Sequence, residues 1–482
     1  MRRYYLLFLG IAAASLVSGW WLVAHGFYAI SADESGRTLE AYTWLAQGNL
    51  NGSVWLPLHR IIVGEALGVF PDLFTVPRAI SAVFGVIALS GLMLLAQSLF
   101  ESFEITLLTG ILGLLFGPLT VLSIVPLSDI LFIAFAVAGC AFLVRHVTCG
   151  KSKWLFLCAL MFMIASLVRY EAWMFSLALC GYCAVSRLTR DDMPWSLLLG
   201  ITALSVCVPL YWTTTWYASN GSLSFISNPG NRYLETHGGK LFWSDTLPVQ
   251  FLQQNLVSLN ILGMVSLVGF LGMSSKIRRY TSVPILSFLA MAIASVIATA
   301  RPSHNAWRVP TVWSVLLIPF TAQWLIQRYK NLLATNFSLK WSMSGLVLLA
   351  VFTGFVSQRS TVTSESTFSA FDRSAGEFVN PGSSTARPTQ KILIEPCDWS
   401  YVHVLIASRH PEIFVLNSSA DPLNQKEYLI SPHAAITNRR LDSLGVHYLL
   451  FKSLFMKDFL DTSACIRTER EFGQWKLYSI VQ

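Results

Sequence analysis

Two adjacent acids are the first residues in this chain whose types could do chemistry. Asp33 and Glu34 stand in the stretch SADESGR, just after an apolar run whose charges are the arginines at its start. A carboxylate can take the proton of an attacking hydroxyl group, so either acid is a candidate general base. Adjacent residues on a helix point about 100° apart, and only one of the two can face a given site. We therefore expect one acid to act as the base and the other to cap a helix, unless both merely begin a solvated helix.

Three more charged residues interrupt apolar stretches. Asp129, in SIVPLSDILFIAFA, begins an apolar run, and Arg169 and Glu171 stand in ASLVRYEAWMF. A carboxylate at the edge of hydrocarbon is costly and often functional, which makes Asp129 a second candidate catalytic acid. An acid near a helix start also acts as a cap, and Arg169 with Glu171 could instead anchor helix ends or pair with neighbouring helices. The sequence leaves these alternatives open.

A cationic cluster lies further along the chain. The stretch ATARPSHNAWRVP holds Arg301, His304 and Arg308 close together. Guanidinium groups bind phosphate through paired hydrogen bonds, so a bound phosphate group would explain the cluster. Arg169 is a further candidate for binding this phosphate. The alternative is that these residues anchor the protein to lipid phosphates at the membrane surface.

The chain that must position these groups is unusually apolar. Of its 482 residues, 54% are hydrophobic and 12% are charged, against about 25% charged in a typical soluble domain. Repeated apolar windows of about 20 residues fit helices that cross a bilayer. The net charge of +8 lies largely in short loops between these windows, where it sets orientation and does not indicate nucleic-acid binding. The fold class is therefore a polytopic α-helical membrane protein.

About eleven membrane spans are predicted from these windows. They cover residues 4–24, 78–98, 105–123, 128–145, 154–168, 172–187, 195–217, 251–273, 281–300, 309–327 and 339–357. With the N-terminus in the cytoplasm, nearly every cytoplasmic loop is basic, as the positive-inside rule asks. All the charged candidates above then fall on the outer face of a cell's inner or plasma membrane.

Two large outer loops are expected within the transmembrane domain, residues 1–357. The first, 25–77, has apolar residues at helical spacing from Leu39 to Ala46 and is expected to carry interfacial helices. The second, 218–250, is rich in Gly, Asn and Ser and is expected to form a mobile loop over the site.

The chain after the last span changes character. Residues 358–390 are rich in Ser, Thr and Pro, which predicts a linker. In residues 391–482 short apolar runs alternate with helical patterns, which indicates a small extracytoplasmic α/β domain closed by a hairpin around Gly473. Cys397 and Cys465 lie in this domain, either as a disulfide or as two thiols.

Sugar transfer from a polyprenyl-phosphate carrier would use all of these parts. The acceptor hydroxyl must lose a proton to a base, and basic side chains must stabilise the departing lipid phosphate. A transporter or flippase of a lipid-linked sugar is the alternative, and a scaffold with a degenerate site is a third. Transporters commonly show internal repeats, which are not evident in this sequence, and they do not need a folded outer domain.

The order of these motifs resembles the membrane glycosyltransferases of the type-C fold. The similarity is greatest to the group that contains the protein O-mannosyltransferases and the lipid A aminoarabinose transferase. It rests on ADESGR, WLPLHR at 55–60, LFTVPRAISAVFGV at 73–86, PLSDILF at 126–132, LVRYEAWMF at 167–175 and LGVHYLLF at 444–451. The resemblance implies a polyprenyl-phosphate-linked sugar donor, with mannose as one candidate sugar, and a lipid, glycan or protein acceptor.

The resemblance also implies roles for individual residues. The catalytic or acceptor-orienting acid of the first outer loop maps onto Asp33, with Glu34 beside it, and a second acid maps onto Asp129. The motif that ends the first outer loop reads Leu-Pro-Leu-His here, which makes His59 a site candidate, together with Glu171. Some members of the group need a divalent metal ion and some do not. The three acids are its candidate ligands, and no cofactor is assigned.

Overall fold

The computed structural model describes most of the chain in separate stretches. These are residues 2–48, 55–190, 193–223, 234–235, 238–257, 260–271, 277–299, 306–333, 368–380, 390–396, 398–418, 428–430, 441, 443–463 and 465–480. Several predicted features lie outside the described residues: Arg301, His304, Cys397, the span 339–357 and, within the predicted loop at 218–250, residues 224–233 and 236–237.

Contacts between residues divide the chain into two compact units. The membrane unit comprises Met1–Trp21, Asn49–His59 and Ser81–Val362, and the loop–sheet unit comprises Leu22–Gly48, Arg60–Ile80 and Thr363–Gln482. The sequence-based division kept the whole first outer loop with the membrane helices. The contacts instead group most of that loop with the C-terminal part of the chain.

Helices account for nearly all the described structure before residue 334. In chain order they are Arg2–Ala24, Asp33–Gln47, Pro57–Val69, Thr75–Phe100, Phe103–Leu115, Gly117–Leu122, Ser128–Cys149, Ser152–Ser166, Glu171–Arg190, Trp195–Asn220, Leu247–Val257, Ile261–Leu271, Ile277–Thr299 and Thr311–Leu333. Four of the described helices are long and apolar enough to cross a membrane: Arg3–Ala24, Thr75–Phe100, Ser128–Cys149 and Trp195–Asn220. The predicted helical membrane class is confirmed, whereas the count of about eleven spans stays a prediction.

Two predicted spans are each built from two helices. The span 105–123 breaks at Phe116, whose backbone is extended (φ −75°, ψ 98°). Pro118 lies two residues further on, and a proline lacks the N–H needed to continue the preceding helix. The span 251–273 breaks near Asn260, whose side-chain amide donates to the Ser314 carbonyl at 2.6 Å. Such side-chain bonds to backbone groups compete with regular helix.

The C-terminal part of the loop–sheet unit is a five-stranded sheet with helices on both faces. Its strands are β1 (Lys391–Ile394), β2 (Phe414–Leu416), β3 (Val446–Phe451), β4 (Ile466–Phe472) and β5 (Trp475–Ile480), and their order is β2-β1-β3-β5-β4. β1 pairs parallel with β2 and β3, and β5 pairs antiparallel with β3 and β4. The predicted strands and the hairpin around Gly473, which has φ +57°, are therefore present.

Alternate residues of the strands point to opposite faces of the sheet and pack in two separate hydrophobic cores. Ile392 and Ile394 of β1 pack on one face with the helices Ala370–Phe378 and Tyr401–Ser408. Leu393 packs on the other face with the helix Leu454–Asp461. This follows from the period-2 alternation of side chains along a strand.

Part of the predicted linker 358–390 is helical. The helix Ala370–Phe378 begins with a capping box between Ser369 and Asp372. Asp372 also accepts a hydrogen bond from the Trp475 indole at 2.7 Å, which ties the helix to the sheet. Composition alone missed the helix because a Ser-rich stretch was taken as linker, although serine is also a favoured helix cap.

Gly64 makes a close helix contact within the loop–sheet unit. A Cβ at this position would lie 2.5 Å from the Trp44 ring and 2.9 Å from the Ala41 carbonyl oxygen. At Gly68, one turn on, a Cβ would meet a flexible Leu45 methyl group at 3.3 Å. Trp44 thus packs against the next helix.

Replacing Gly64 with alanine should destabilise the protein by about 1–3 kcal/mol, because the bulky ring and the backbone oxygen must move to make room. The measurement is the apparent melting temperature of detergent-solubilised protein. Gly68→Ala is the matched control and should leave that temperature nearly unchanged. Equal shifts for the two variants would contradict the predicted packing.

Candidate active site

The two acids of SADESGR have different surroundings. The helix Asp33–Gln47 begins at this pair, and Glu34 is fully buried in its first turn. One oxygen of Glu34 accepts the Ile30 N–H at 2.8 Å, and the other accepts the Ser31 hydroxyl at 2.6 Å and its N–H at 3.1 Å. Glu34 therefore ties the residues that precede the helix to its first turn, where a negative charge is also favoured.

Asp33 lies at the helix start and is half-buried, so part of its surface stays accessible. Its backbone N–H donates to the Ser31 hydroxyl at 3.3 Å, which helps to fix the start of the helix. The sequence predicted that the two acids divide the roles of base and cap. Neither acid is the N-cap, which is Ala32 and makes no side-chain cap bond, so the predicted cap role is wrong. The role of Asp33 as the base stays a prediction.

Glu34→Gln should lower stability, because an amide NH₂ group replaces one of two oxygens that accept hydrogen bonds. The loss of bonds to a charged acceptor should cost about 1–3 kcal/mol. Melting in detergent measures it, and Glu65→Gln, at an exposed position, is the control. An unchanged melting temperature for Glu34→Gln would show that the bonds of Glu34 to Ile30 and Ser31 do not stabilise the helix start.

A buried cluster of ion pairs lies in the membrane unit. Asp129 is in the first turn of Ser128–Cys149, Arg169 and Glu171 lie at the start of Glu171–Arg190, and Arg308 ends a short turn before Thr311–Leu333. Asp129 accepts Arg308 Nε at 3.2 Å and Nη2 at 2.7 Å, and Arg169 Nη1 lies 2.8 Å from Asp129 Oδ2. Arg169 also pairs with Glu171 through Nε at 3.0 Å. Four residues that the sequence singled out separately are thus joined in one cluster of ion pairs.

The charges of this cluster balance: Arg169 and Arg308 face Asp129 and Glu171. The sequence assigned both arginines to a donor phosphate and Asp129 to catalysis. Its alternative for Arg169, pairing with a neighbouring helix, is what the structure shows, with Asp129 as the partner. Pairing has a physical reason, because an uncompensated buried charge is strongly unfavourable. The phosphate-binding role stays a prediction.

His59 lies near the start of Pro57–Val69 and is 2% exposed. The neighbouring Leu58 N–H donates to the Leu167 carbonyl at 3.0 Å, which joins this segment to the turn that carries Arg169. The sequence made His59 a site candidate through its motif alone. His59 is buried in the membrane unit, and its role as a site residue stays a prediction.

An aromatic cluster beside that turn was missed from the sequence. Leu56 packs with Trp212 and Trp216 and with two half-buried aromatic residues, Tyr170 and Trp173. Trp212 Nε1 donates to the Tyr170 hydroxyl at 3.1 Å. The spacing of the two tryptophans in YWTTTWY places them on one helix face and was the available signal.

The candidate ligands for a divalent metal ion, Asp33, Glu34 and Asp129, are poorly suited to bind one. Among the described residues no group of three or more His, Cys, Asp or Glu side chains is arranged to hold a metal ion. Both oxygens of Asp129 already accept hydrogen bonds from guanidinium groups, and these positive charges disfavour a cation there.

The chain, with its membrane helices and C-terminal α/β sheet, is similar to known proteins in part of its sequence and in its fold. Residues 57–212 match the model of the dolichyl-phosphate-mannose-protein mannosyltransferase family. The chain is similar in structure to ArnT from Cupriavidus metallidurans bound to undecaprenyl phosphate, with a TM-score of 0.62 and 14% identity over 99% of this chain and 98% of that chain. The resemblance to membrane glycosyltransferases of the type-C fold is thereby confirmed, and the protein is an integral membrane protein.

Two further structures share the fold. The archaeal oligosaccharyltransferase AglB from Archaeoglobus fulgidus, in complex with an inhibitory peptide and a dolichol-phosphate, matches with a TM-score of 0.53 and 12% identity over 94% of this chain and 70% of that chain. The arabinofuranosyltransferase AftD from Mycobacteria matches with a TM-score of 0.51 and 12% identity over 100% of this chain and 42% of that chain. Comparison by sequence alone finds no match among curated proteins. At these identities the structural likeness establishes the fold.

Proposed function

We propose that the protein transfers one sugar from a polyprenyl-phosphate carrier to an acceptor at the outer face of a cell's inner or plasma membrane. The observation that carries the proposal is the likeness, over almost the whole chain, to a type-C structure that binds undecaprenyl phosphate. A second likeness is to a structure in complex with a dolichol-phosphate. Both ligands are polyprenyl phosphates, the chemical class that a lipid-linked sugar donor shares.

Asp33 is the proposed base. As the acceptor hydroxyl attacks the anomeric carbon, Asp33 takes its proton, a bond forms from the acceptor oxygen to the sugar, and the bond to the lipid phosphate breaks. The phosphate leaves with the electron pair of that bond. A single displacement of this kind inverts the anomeric configuration. This choice is supported by the accessible part of Asp33 and by the bonds that commit both oxygens of Glu34 to Ile30 and Ser31.

Stabilisation of the leaving phosphate falls to basic groups of the membrane unit. Arg169 and Arg308 are paired with Asp129 and Glu171, which lowers the net positive charge that a donor phosphate meets. The cluster therefore has two proposed tasks, to join the membrane helices and to receive the donor phosphate. Arg301 and His304 are proposed to take part in the second task.

The test offers purified protein a series of radiolabelled polyprenyl-phosphate sugars, one at a time, with the cell's own lipids, glycans and proteins as acceptors. Mannose is the first sugar to test, because the matching family model is named for a mannose donor. Label that appears in one acceptor class with one donor supports the proposal. Label that stays on every donor favours the alternative, a flippase of lipid-linked sugars.

A further inference from the structure

A buried histidine contacts the helix that carries the proposed base. His403 lies on the helix Tyr401–Ser408 and is 1% exposed. Its Nδ1 lies 2.8 Å from the hydroxyl of Ser35, a residue 368 positions away in sequence. Its ring stacks on Phe368, with centroids 4.6 Å apart and planes at 28°. All three residues belong to the loop–sheet unit. The two contacts fix both the plane and the direction of the imidazole ring.

The imidazole of His403 is neutral at physiological pH. Burial, with the nearby positive charge of Arg78, lowers the pKa of His403 to about 3. Asp398 raises this pKa and Lys452 lowers it, both by smaller amounts. Because the ring carries no charge, it can stay buried with one hydrogen bond at Nδ1. The neutral His403 ring is therefore suited to hold Ser35 by a hydrogen bond and not to transfer a proton.

The partner, Ser35, belongs to the first turn of the helix that begins at Asp33. Within that turn, Glu34 ties the helix to Ile30 and Ser31, which immediately precede it. The bond from Ser35 instead reaches the C-terminal part of the chain. The orientation of the turn, and with it the direction of the Asp33 side chain, depends on both attachments.

A second attachment lies two turns further along the same helix. The Tyr42 hydroxyl donates to Glu412 Oε2 at 3.1 Å, in an exposed setting. Between the two attachments, Ala41 packs in one apolar cluster with Ile406. The far end of the helix is thus held independently of Ser35, which makes Tyr42 a natural control position.

We propose that His403 is a positioning residue for sugar transfer: through Ser35 it fixes the first helical turn and so aims the Asp33 carboxylate. The inference rests on the proposed function. It gives the C-terminal α/β part of the chain a task in catalysis without any contact to substrate. Small displacements of a catalytic group lower rates steeply, so this bond should affect turnover more than binding.

The test is a double-mutant cycle of His403→Phe and Ser35→Ala. Phenylalanine keeps a ring that can stack on Phe368 and removes Nδ1, and alanine removes a single hydroxyl. Each single variant should lower kcat by about tenfold, with the donor KM within about twofold of wild type. The double variant should lose no more than either single variant, because both remove the same bond.

Hydrogen exchange supplies a readout that does not depend on sugar transfer. Peptides covering residues 30–37 should exchange faster in both single variants, by similar amounts, at an unchanged melting temperature. Tyr42→Phe is the control and should change neither kcat nor exchange in this segment. If His403→Phe loses melting temperature, Ser35→Ala alone carries the test, because it deletes only a hydroxyl.

Wild-type kcat in Ser35→Ala, or losses that add up in the double variant, would overturn the positioning role. Failure of the proposed function looks different. In that case the wild-type protein itself transfers no sugar from any donor. The exchange measurement then still tests the bond, and unchanged exchange in both single variants would overturn the inference on its own.

Discussion

Asp33→Asn should lower turnover by about 100-fold or more, the usual contribution of a positioned base. Asparagine keeps the shape of the side chain and is as good a helix cap as aspartate, so the protein should fold and insert normally. Binding of the lipid donor should also persist, because the substitution removes only the proton acceptor. The measurement is kcat for sugar transfer together with the melting temperature of the same preparation.

The control for Asp33→Asn is Glu40→Gln, the same kind of change on the same helix two turns away. Glu34→Gln gives the complementary pattern, with lower stability and a smaller effect on kcat. Full turnover in a folded Asp33→Asn protein would mean that Asp33 only begins the helix. A larger kcat loss in Glu34→Gln than in Asp33→Asn would identify Glu34 as the base.

Arg308→Ala should have the largest effect on stability. It removes one of the two arginines that compensate the buried Asp129 carboxylate. Breaking a buried pair costs about 3–5 kcal/mol, and the lower end applies because Arg169 still contacts Asp129. If the donor phosphate also uses Arg308, kcat/KM for the donor should fall roughly ten- to a hundredfold.

A double variant separates the two tasks of Arg308. Adding Asp129→Asn to Arg308→Ala removes the carboxylate that was left undercompensated, so the melting temperature should recover in part. We expect kcat/KM for the donor to stay low in this double variant. Donor kinetics that recover together with the melting temperature would contradict the phosphate role and leave Arg308 as a purely structural partner of Asp129.

Local pattern was enough to predict much of the fold. The apolar runs KILIEP and VHYLLF became strands, and Gly473 turns the final hairpin. The helix Asp33–Gln47 follows from apolar residues at helical spacing, because spacing decides which face is buried. Hydropathy averaged over a window hides interruptions, and the breaks at Phe116 and Asn260 were missed for that reason.

Contacts between distant residues could not be read from the sequence. Asp129 and Arg308 are 179 positions apart, so both were found as unusual charges but not as partners. Ser35 lies in ADESGR but was not singled out there, and His403 lies in no quoted motif, so only the packing of two helices reveals their bond. The same holds for the grouping of the first outer loop with the C-terminal sheet, which no composition shift marks.

The central claim, that this membrane protein breaks the bond between a sugar and a polyprenyl phosphate, is tested most directly by the mass of the donor lipid. The reaction is run with purified protein in detergent micelles, which have no two sides for transport. We expect the donor lipid to lose the mass of one sugar residue, which leaves free polyprenyl phosphate, while an acceptor gains that mass. A donor whose mass stays unchanged with every sugar and acceptor offered would contradict it.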